Sequence, residues 1–446
     1  MSAPVESGHH RALAVGLVMA TSLVAFETTA LLTALPTISE ELDGDWLYGA
    51  TLASYMLADI VGLVIAGSLI DRRGPRIPFV LSIATFVIGL GVAAAANSML
   101  VILLGRVLQG AGAGGLAPIS YSTINRAWPE AQRARLFAWI SAAWVLPSLV
   151  APALAGWLTS AISWRWVFIG IVPLALATAF LAVPALGRIP PTGQVGTGGP
   201  RVLLALRLAG GVGAFTAGIQ SSRPLVAIGL VVVGLALAVP AYNSMAPRGI
   251  WRARRGLPAI LACRTLATAA FLGVDSFVPL AADRVHGSSA TVQGFVIIGA
   301  ALAWSLGSAL ASRFRERDLT SSARSGFVLI AIGIVATIPV LSADWPLLVT
   351  FFTWSVAGLG MGTLFVPTSV AAMSYAEPGR DGTIGSQINL ADSLGFGLMG
   401  AIGGATVAAS DRTSWPLVDA LGTNFAIAVG LALVGVVASR GVKRPA

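Results

Sequence analysis

Six ionisable residues stand inside long apolar runs: Glu27, Asp59, Arg106, Arg264, Asp275 and Asp392. A charged side chain at the centre of a hydrocarbon layer costs about 2.5–3.5 kcal/mol on insertion scales, so each must face a cavity or a partner. At roughly 1.5 Å per helical residue, Glu27 and Arg106 fall at similar depth in the outer halves of their segments. Asp59 lies near mid-depth. Arg264 and Asp392 both lie roughly 10–12 Å from the inner face. Two pairings follow, Glu27 with Arg106 and Arg264 with Asp392. Burial opposes the ionised form of a carboxylate and a nearby arginine favours it. If access to such a group alternates between two sides, a proton can load from one and leave to the other. Glu27 and Arg106 are thus candidates for a proton-linked site, with Asp59 as relay or second acid and Asp275 and Asp392 as further acids. The alternative is a static buried ion pair that fixes helix register. For Arg264 with Asp392 a structural pair and an inner gate both fit. Glu27, Phe26, Tyr55, Gln109 and Trp144 could line a cavity for a cationic ligand, the aromatics through cation–π contact.

The elements that must position these groups are membrane helices. Of 446 residues, 56% are hydrophobic and 11% charged, with a mean hydropathy of +0.83. Soluble domains carry about 25% charge. Segments of about 20 apolar residues suffice to span a bilayer, and fourteen can be drawn between residues 12 and 438. The weakest are 201–220 and 224–243. The alternation of an outer-membrane barrel is absent, which leaves helices, since lipid cannot satisfy backbone amides. The first segment lacks a small-residue cleavage site and reads as a retained span. With the N-terminus inside, Arg165, Arg223, Arg284 and Arg412 are the only basic residues on outer segments. That bias predicts both termini in the cytoplasm. It also accounts for the net charge of +9 without nucleic acid. The outer turn 39–45 is acidic, in agreement of sign.

The single cysteine, Cys263, excludes an intrachain disulfide and any multi-cysteine metal site. None of the three histidines lies in a span, so no metal site is expected there. No G-x-x-x-x-G-K-[ST] pattern occurs, which argues against ATP as driving force. No nucleophile triad stands out, so neither catalytic residues nor cofactors are predicted.

The chain also repeats itself. Leu100-Val…Gly110-x-Gly-x-Gly-x-Leu116 matches Leu348-Val…Gly358-x-Gly-x-Gly-x-Leu364 at an offset of 248 positions. Gly67-Ser-Leu-Ile-Asp-Arg-Arg and Gly307-Ser-Ala-Leu-Ala-Ser-Arg end corresponding spans. The expected organisation is a six-helix bundle over 1–187, a linker with two extra helices over 188–256 and a second six-helix bundle over 257–446. Two related halves around a midplane site is a transporter architecture. The Pro/Gly-rich stretch 188–200 reads as flexible. The basic stretch 248–255 reads as a linker held to anionic lipid rather than a specific partner site.

Gly67-Ser-Leu-Ile-Asp71-Arg72-Arg73-Gly74-Pro75-Arg76 resembles the G-x-L-x-D-R-x-G-R-R/K signature of the major facilitator superfamily. Arg106-Val-Leu-Gln109-Gly110 resembles its fourth-helix R-x-x-Q-G signature, and Ala151-Pro152…Ala155-Gly156 its antiporter signature with alanine for glycine at two positions. Phe26-Glu27-Thr28-Thr29…Ala34-Leu35-Pro36-Thr37-Ile38 is similar to the first helix of fourteen-span drug:proton antiporters, with Glu27 where aspartate is usual. The resemblance implies an all-α membrane fold of two six-helix bundles plus a two-helix insert. It implies proton-coupled efflux of amphipathic or cationic small molecules by alternating access. Two pseudo-repeats in one chain favour a monomer, and the arginine-for-lysine and alanine bias points to a bacterial cytoplasmic membrane. Export of a metabolite or lipid, or uptake, is the alternative within the class; a channel or an intramembrane enzyme is the alternative outside it. The resemblance also implies a gating latch from Gly67, Asp71, Arg72, Gly74, Arg76 and Arg133. The fifth span, with Pro147, Pro152 and Gly156, would act as a pivot because its prolines lack amide donors.

Overall fold

The computed structural model describes residues 7–44, 47–190, 201–313 and 319–445. Most of the Pro/Gly-rich stretch 188–200, and Asp45 of the acidic turn, lie outside them. The described residues form α-helices joined by short turns and 3-10 segments. Among the described residues, fourteen helices, some of them broken in two, are long and apolar enough to cross a membrane.

In chain order the first eight helices are α1 (Ser7–Glu41), α2 (Tyr48–Arg73), α3 (Arg76–Ala94), α4 (Met99–Ala127), α5 (Glu130–Ala142), α6 (Val145–Ala161), α7 (Arg165–Ile169) and α8 (Val172–Leu186). Next come α9 (Arg201–Gln220), α10 (Pro224–Met245), α11 (Leu257–Asp275), α12 (Val278–Arg284) and α13 (Ala290–Arg313). The last four are α14 (Leu319–Thr337), α15 (Leu347–Met373), α16 (Asp381–Arg412) and α17 (Leu417–Ala438). Two compact units result. One contains residues 1–209 together with 376–389, the other 210–375 together with 390–446.

In the first unit α4 is the central rod, with α2 and α3 packed on opposite faces. Glycine makes this approach feasible. A Cβ on Gly110 would land on the Tyr55 carbonyl of α2, and one on Gly114 on the Asp59 carbonyl. Gly112 of the same helix meets the Ser82–Phe86 backbone of α3. Small residues four apart form one face of a helix, and in lipid such seams replace the hydrophobic effect as the glue between helices. The second unit repeats the device 248 positions later. Gly358 and Gly362 of α15 meet the Ala300 and Trp304 carbonyls of α13, while Gly360 meets Gly326 and Ile330 of α14.

Breaks in the spans follow proline. Pro147 cannot donate to the Ala143 carbonyl, and the fifth span is interrupted between α5 and α6 at that point. The Ser22 hydroxyl of α1 donates to the freed Ala143 carbonyl at 2.9 Å. Pro279 likewise leaves the Asp275 carbonyl without its helical donor, and α11 ends at Asp275. Gly74 closes the turn after α2 at φ 75, its N–H donating to the Ile70 carbonyl.

Gly110→Ala forces a methyl group against the Tyr55 backbone and should destabilise the protein by about 1–3 kcal/mol, the usual range for overpacking. Gly91→Ala, where a Cβ meets nothing within 4 Å, should be neutral or mildly stabilising. Thermal melts of the two detergent-solubilised variants compare them directly; equal melting temperatures would contradict a backbone seam at Gly110.

Candidate functional site

The first unit buries a polar cluster built from three helices. Glu27 comes from α1, Tyr55 from α2, and Arg106 and Gln109 from α4; Glu27 is 1% exposed, Arg106 2% and Gln109 0%. Arg106 and Gln109 are three apart and share a face. Arg106 Nη1 donates to Glu27 Oε1 and, at 2.8 Å, to Gln109 Oε1. The guanidinium lies over the Tyr55 ring, 4.1 Å from its centroid. This stacking depends on the glycine at 110, which admits the α2 backbone at that level.

Among the described residues, three atoms of this cluster find no hydrogen-bond partner: Glu27 Oε2, Arg106 Nε and Gln109 Nε2. Buried polar groups are normally paired. A carboxylate oxygen left over beside a fully buried arginine is a place where a proton, a water or a ligand cation gains more than it would at a satisfied site. Removing one partner of a buried ion pair typically costs about 3–5 kcal/mol, because the other charge is stranded. Neutralising Glu27 would therefore leave the Arg106 guanidinium without its carboxylate.

Asp59 follows Tyr55 by one turn on the same face of α2, half-buried against α4. Phe26 is half-buried and takes part in none of the described ring contacts. Trp144 is 45% exposed at the break between α5 and α6. Pro147 is buried, and Pro152 and Gly156 are half-buried on α6, which packs against α1.

The second unit holds two acids with different partners. Arg264 of α11 is fully buried and meets Asp392 of α16 with two nitrogens, Nε at 2.9 Å from Oδ1 and Nη2 against Oδ2. Its Nη1 donates to Ser369 Oγ at 2.8 Å and to the Phe365 carbonyl at 3.1 Å, and its plane lies 3.7 Å from the Phe365 ring centroid. Such fork geometry, with every side of the guanidinium engaged, suits a structural pair. Asp392 is still 18% exposed at its side chain.

Asp275, at the end of α11, accepts a hydrogen bond from Trp354 Nε1 of α15 at 2.7 Å. No ion pair is described for it. Phe271 stacks on Trp354 with centroids 5.0 Å apart, and Trp304 meets Phe271 edge-on. Asp275 is Glu27 plus 248 and Trp354 is Arg106 plus 248. The repeat thus places an acid from the first helix of each half against a donor from the fourth, cationic in one unit and neutral in the other. Sequence reading missed Trp354, although the offset between the glycine runs would have found it.

The loop after α2 is anchored by Asp71, whose carboxylate accepts from the Gly382 N–H at 2.7 Å, the Thr383 N–H at 3.0 Å and Thr383 Oγ1 at 2.6 Å. These donors form the first turn of α16, where unpaired amides and the helix dipole favour an anion. Asp381 of the same turn accepts from Arg126 Nε at 3.0 Å and Asn125 Nδ2 at 2.6 Å. Ser386 donates to the Leu63 carbonyl at 2.7 Å, where Gly67 leaves room for it. Arg133 donates to the Trp128 carbonyl at 3.0 Å, Arg76 runs past Gly187, and Arg72 is exposed. Arg126, near the end of α4, bridges the two acids, with Nη2 3.7 Å from Asp71 Oδ1 and Nε 3.0 Å from Asp381 Oδ2.

Comparison with known proteins agrees with this architecture. The profile of the Major Facilitator Superfamily matches residues 17–400. A probable multidrug-efflux transporter of Mycobacterium tuberculosis is 27% identical, the match covering 96% of this chain and 94% of that protein. Multidrug resistance protein 3 of Bacillus subtilis is 27% identical over 86% of this chain and 77% of its own length. The multidrug export protein EmrB of Haemophilus influenzae is 25% identical over 89% and 81%. Among solved structures, a human organic anion transporter superposes with a TM-score of 0.73 at 15% identity, covering 96% of this chain and 99% of that one. A proton:xylose symporter superposes at 0.67 and 15% identity, over 97% and 95%; at such identities the likeness concerns the fold. With the profile spanning most of its length, the chain belongs to the Major Facilitator Superfamily.

Proposed function

We propose that this transporter exports amphipathic or cationic small molecules in exchange for protons, by alternating access. It works as a monomer in a bacterial cytoplasmic membrane with both termini in the cytoplasm. The observation that carries the reading is the buried Glu27–Arg106 pair with one carboxylate oxygen unused. The multidrug-efflux names of relatives that match most of the chain support the substrate class.

Protonation of Glu27 removes the charge that holds Arg106, leaving the guanidinium to Gln109 and the Tyr55 ring. Loss of the proton restores the pair or, when a cationic substrate is present, lets that cation compete with Arg106 for the carboxylate. Only one occupant can neutralise Glu27 at a time, which ties substrate release on one side to proton entry from it. Asp59, one turn from Tyr55, passes protons toward the inner side. Phe26, Tyr55 and Trp144 supply apolar surface to the substrate. Asp71, held by the first turn of α16, is the latch that lets go when the inner side opens.

Asp275 is the second acid. Its partner is an indole N–H, so a substrate cation there has no arginine to displace. Asp392 stays with Arg264 as the structural pair of its unit.

In proteoliposomes with an imposed pH gradient, Glu27→Gln should abolish net gradient-driven export while substrate exchange without a gradient persists, because glutamine keeps the hydrogen bond but cannot titrate. Undiminished gradient-driven export by Glu27→Gln would end the coupling role assigned to this residue. Asp275→Asn should leave proton coupling in place and weaken binding of a cationic dye about tenfold or more, the equivalent of one charge-assisted hydrogen bond. Dye-binding titrations of the wild type and the variant measure the difference, and equal affinities would remove Asp275 as a substrate contact.

A further inference from the structure

One end of the second unit gathers two basic segments that are distant in sequence. The linker between α10 and α11 carries Arg248, Arg252, Arg254 and Arg255, all exposed. The chain after α17 carries Arg440, Lys443 and Arg444, also exposed. The Gly256 N–H donates to the Gly441 carbonyl at 2.9 Å, so the segments are joined backbone to backbone. The second is pinned further by Thr320 Oγ1, 2.9 Å from the Val442 carbonyl, and by the Tyr375 hydroxyl, 2.9 Å from the Lys443 carbonyl. Neither 243–262 nor 420–446 contains an aspartate or glutamate. Seven cations thus share one end without an acid in either segment.

Trp251 sits among them, 67% exposed in the 3-10 turn Ile250–Arg252. Its orientation is set. Its Nε1 donates to Asn243 Oδ1 at 2.5 Å, and its ring meets Tyr242 edge-on at 5.6 Å. Asn243 and Tyr242 belong to the last turn of α10, so the indole stands at the level where a span leaves the hydrocarbon. Tryptophan and tyrosine favour that level because one end of the ring is apolar and the other wet. Arginine forks bind phosphate oxygens.

We propose that this end of the second unit is a binding site for the phosphodiester headgroup of anionic phospholipid. The arginines of the linker and the chain end hold the phosphate, and Trp251 enters the acyl boundary beside it. The lipid is favoured over a soluble phosphate by the indole and by the position of the turn next to a span end. The inference rests on the proposed orientation only for the leaflet concerned, the cytoplasmic one.

The test is native mass spectrometry of the full chain in detergent, titrated with phosphatidylglycerol, phosphatidylcholine or inorganic phosphate. The wild type should retain phosphatidylglycerol in preference to phosphatidylcholine. Each basic side chain near a charged membrane surface contributes appreciably to binding, so Arg252→Gln, Arg254→Gln and Arg255→Gln together should weaken phosphatidylglycerol binding about tenfold or more. The corresponding lysine triple should retain most of it, which separates charge from misfolding. A matched triple on the opposite side, Arg223→Gln, Arg284→Gln and Arg412→Gln, should bind as the wild type does. Unchanged phosphatidylglycerol binding by the linker triple, equal loss in the opposite-side triple, or displacement by millimolar inorganic phosphate would each overturn the proposal. The measurement needs neither transport nor orientation, so its failure leaves the exporter reading standing, and loss of coupling by Glu27→Gln leaves the lipid site standing.

Discussion

Hydrocarbon offers no hydrogen bonds, and this constraint shapes the protein at every level. It selects helices for the spans, and it makes each ionisable group within them a local problem with few solutions. Glu27 is met by Arg106, Arg264 by Asp392, and Asp275 by an indole N–H. The same constraint acts on the backbone. Where Pro147 strips a carbonyl of its donor, a serine from the neighbouring helix replaces it. The two arginine–carboxylate pairs differ in how fully they are satisfied. Arg264 engages a carboxylate, a hydroxyl, a carbonyl and a ring. Among the described residues, the cluster around Glu27 leaves three atoms unanswered.

Much of this was legible in the sequence. Fourteen apolar segments and the absence of strand alternation predicted the fold class. Depth along a helix, counted at a constant rise, paired Glu27 with Arg106 and Arg264 with Asp392. Rotation about a helix axis was harder. A residue's level can be counted from its span end, whereas the direction it faces depends on which neighbours pack around it. Tyr55 was read as a cavity aromatic and stands over the Arg106 guanidinium. Trp144 was grouped with it and stands exposed at a break. The inner loop shows the same limit. Its acid was found from the motif, but the arginine that bridges acids, Arg126, comes from the end of α4, outside the motif.

The repeat carries more information than its faint similarity suggests. The glycines it preserves at 110, 112, 114 and 358, 360, 362 hold the same seams in each unit. At the same offset the acid of the first helix is preserved in kind, Glu27 becoming Asp275, while its partner changes from Arg106 to Trp354. Geometry was retained and charge was not. The two halves thus hold an acid at the same position, beside a cation in one and beside a neutral donor in the other.

The glycine seams have a mechanical consequence. With backbones touching on two faces of α4, helices α2, α3 and α4 behave as one stiff beam, and α13, α14 and α15 form another. Under the proposed mechanism, stress raised at Glu27 or Asp275 meets rigid walls there and must be discharged elsewhere. The interrupted rods, α5 with α6 and α11 with α12, are where each lobe can yield, and one of those joints falls beside an acid itself.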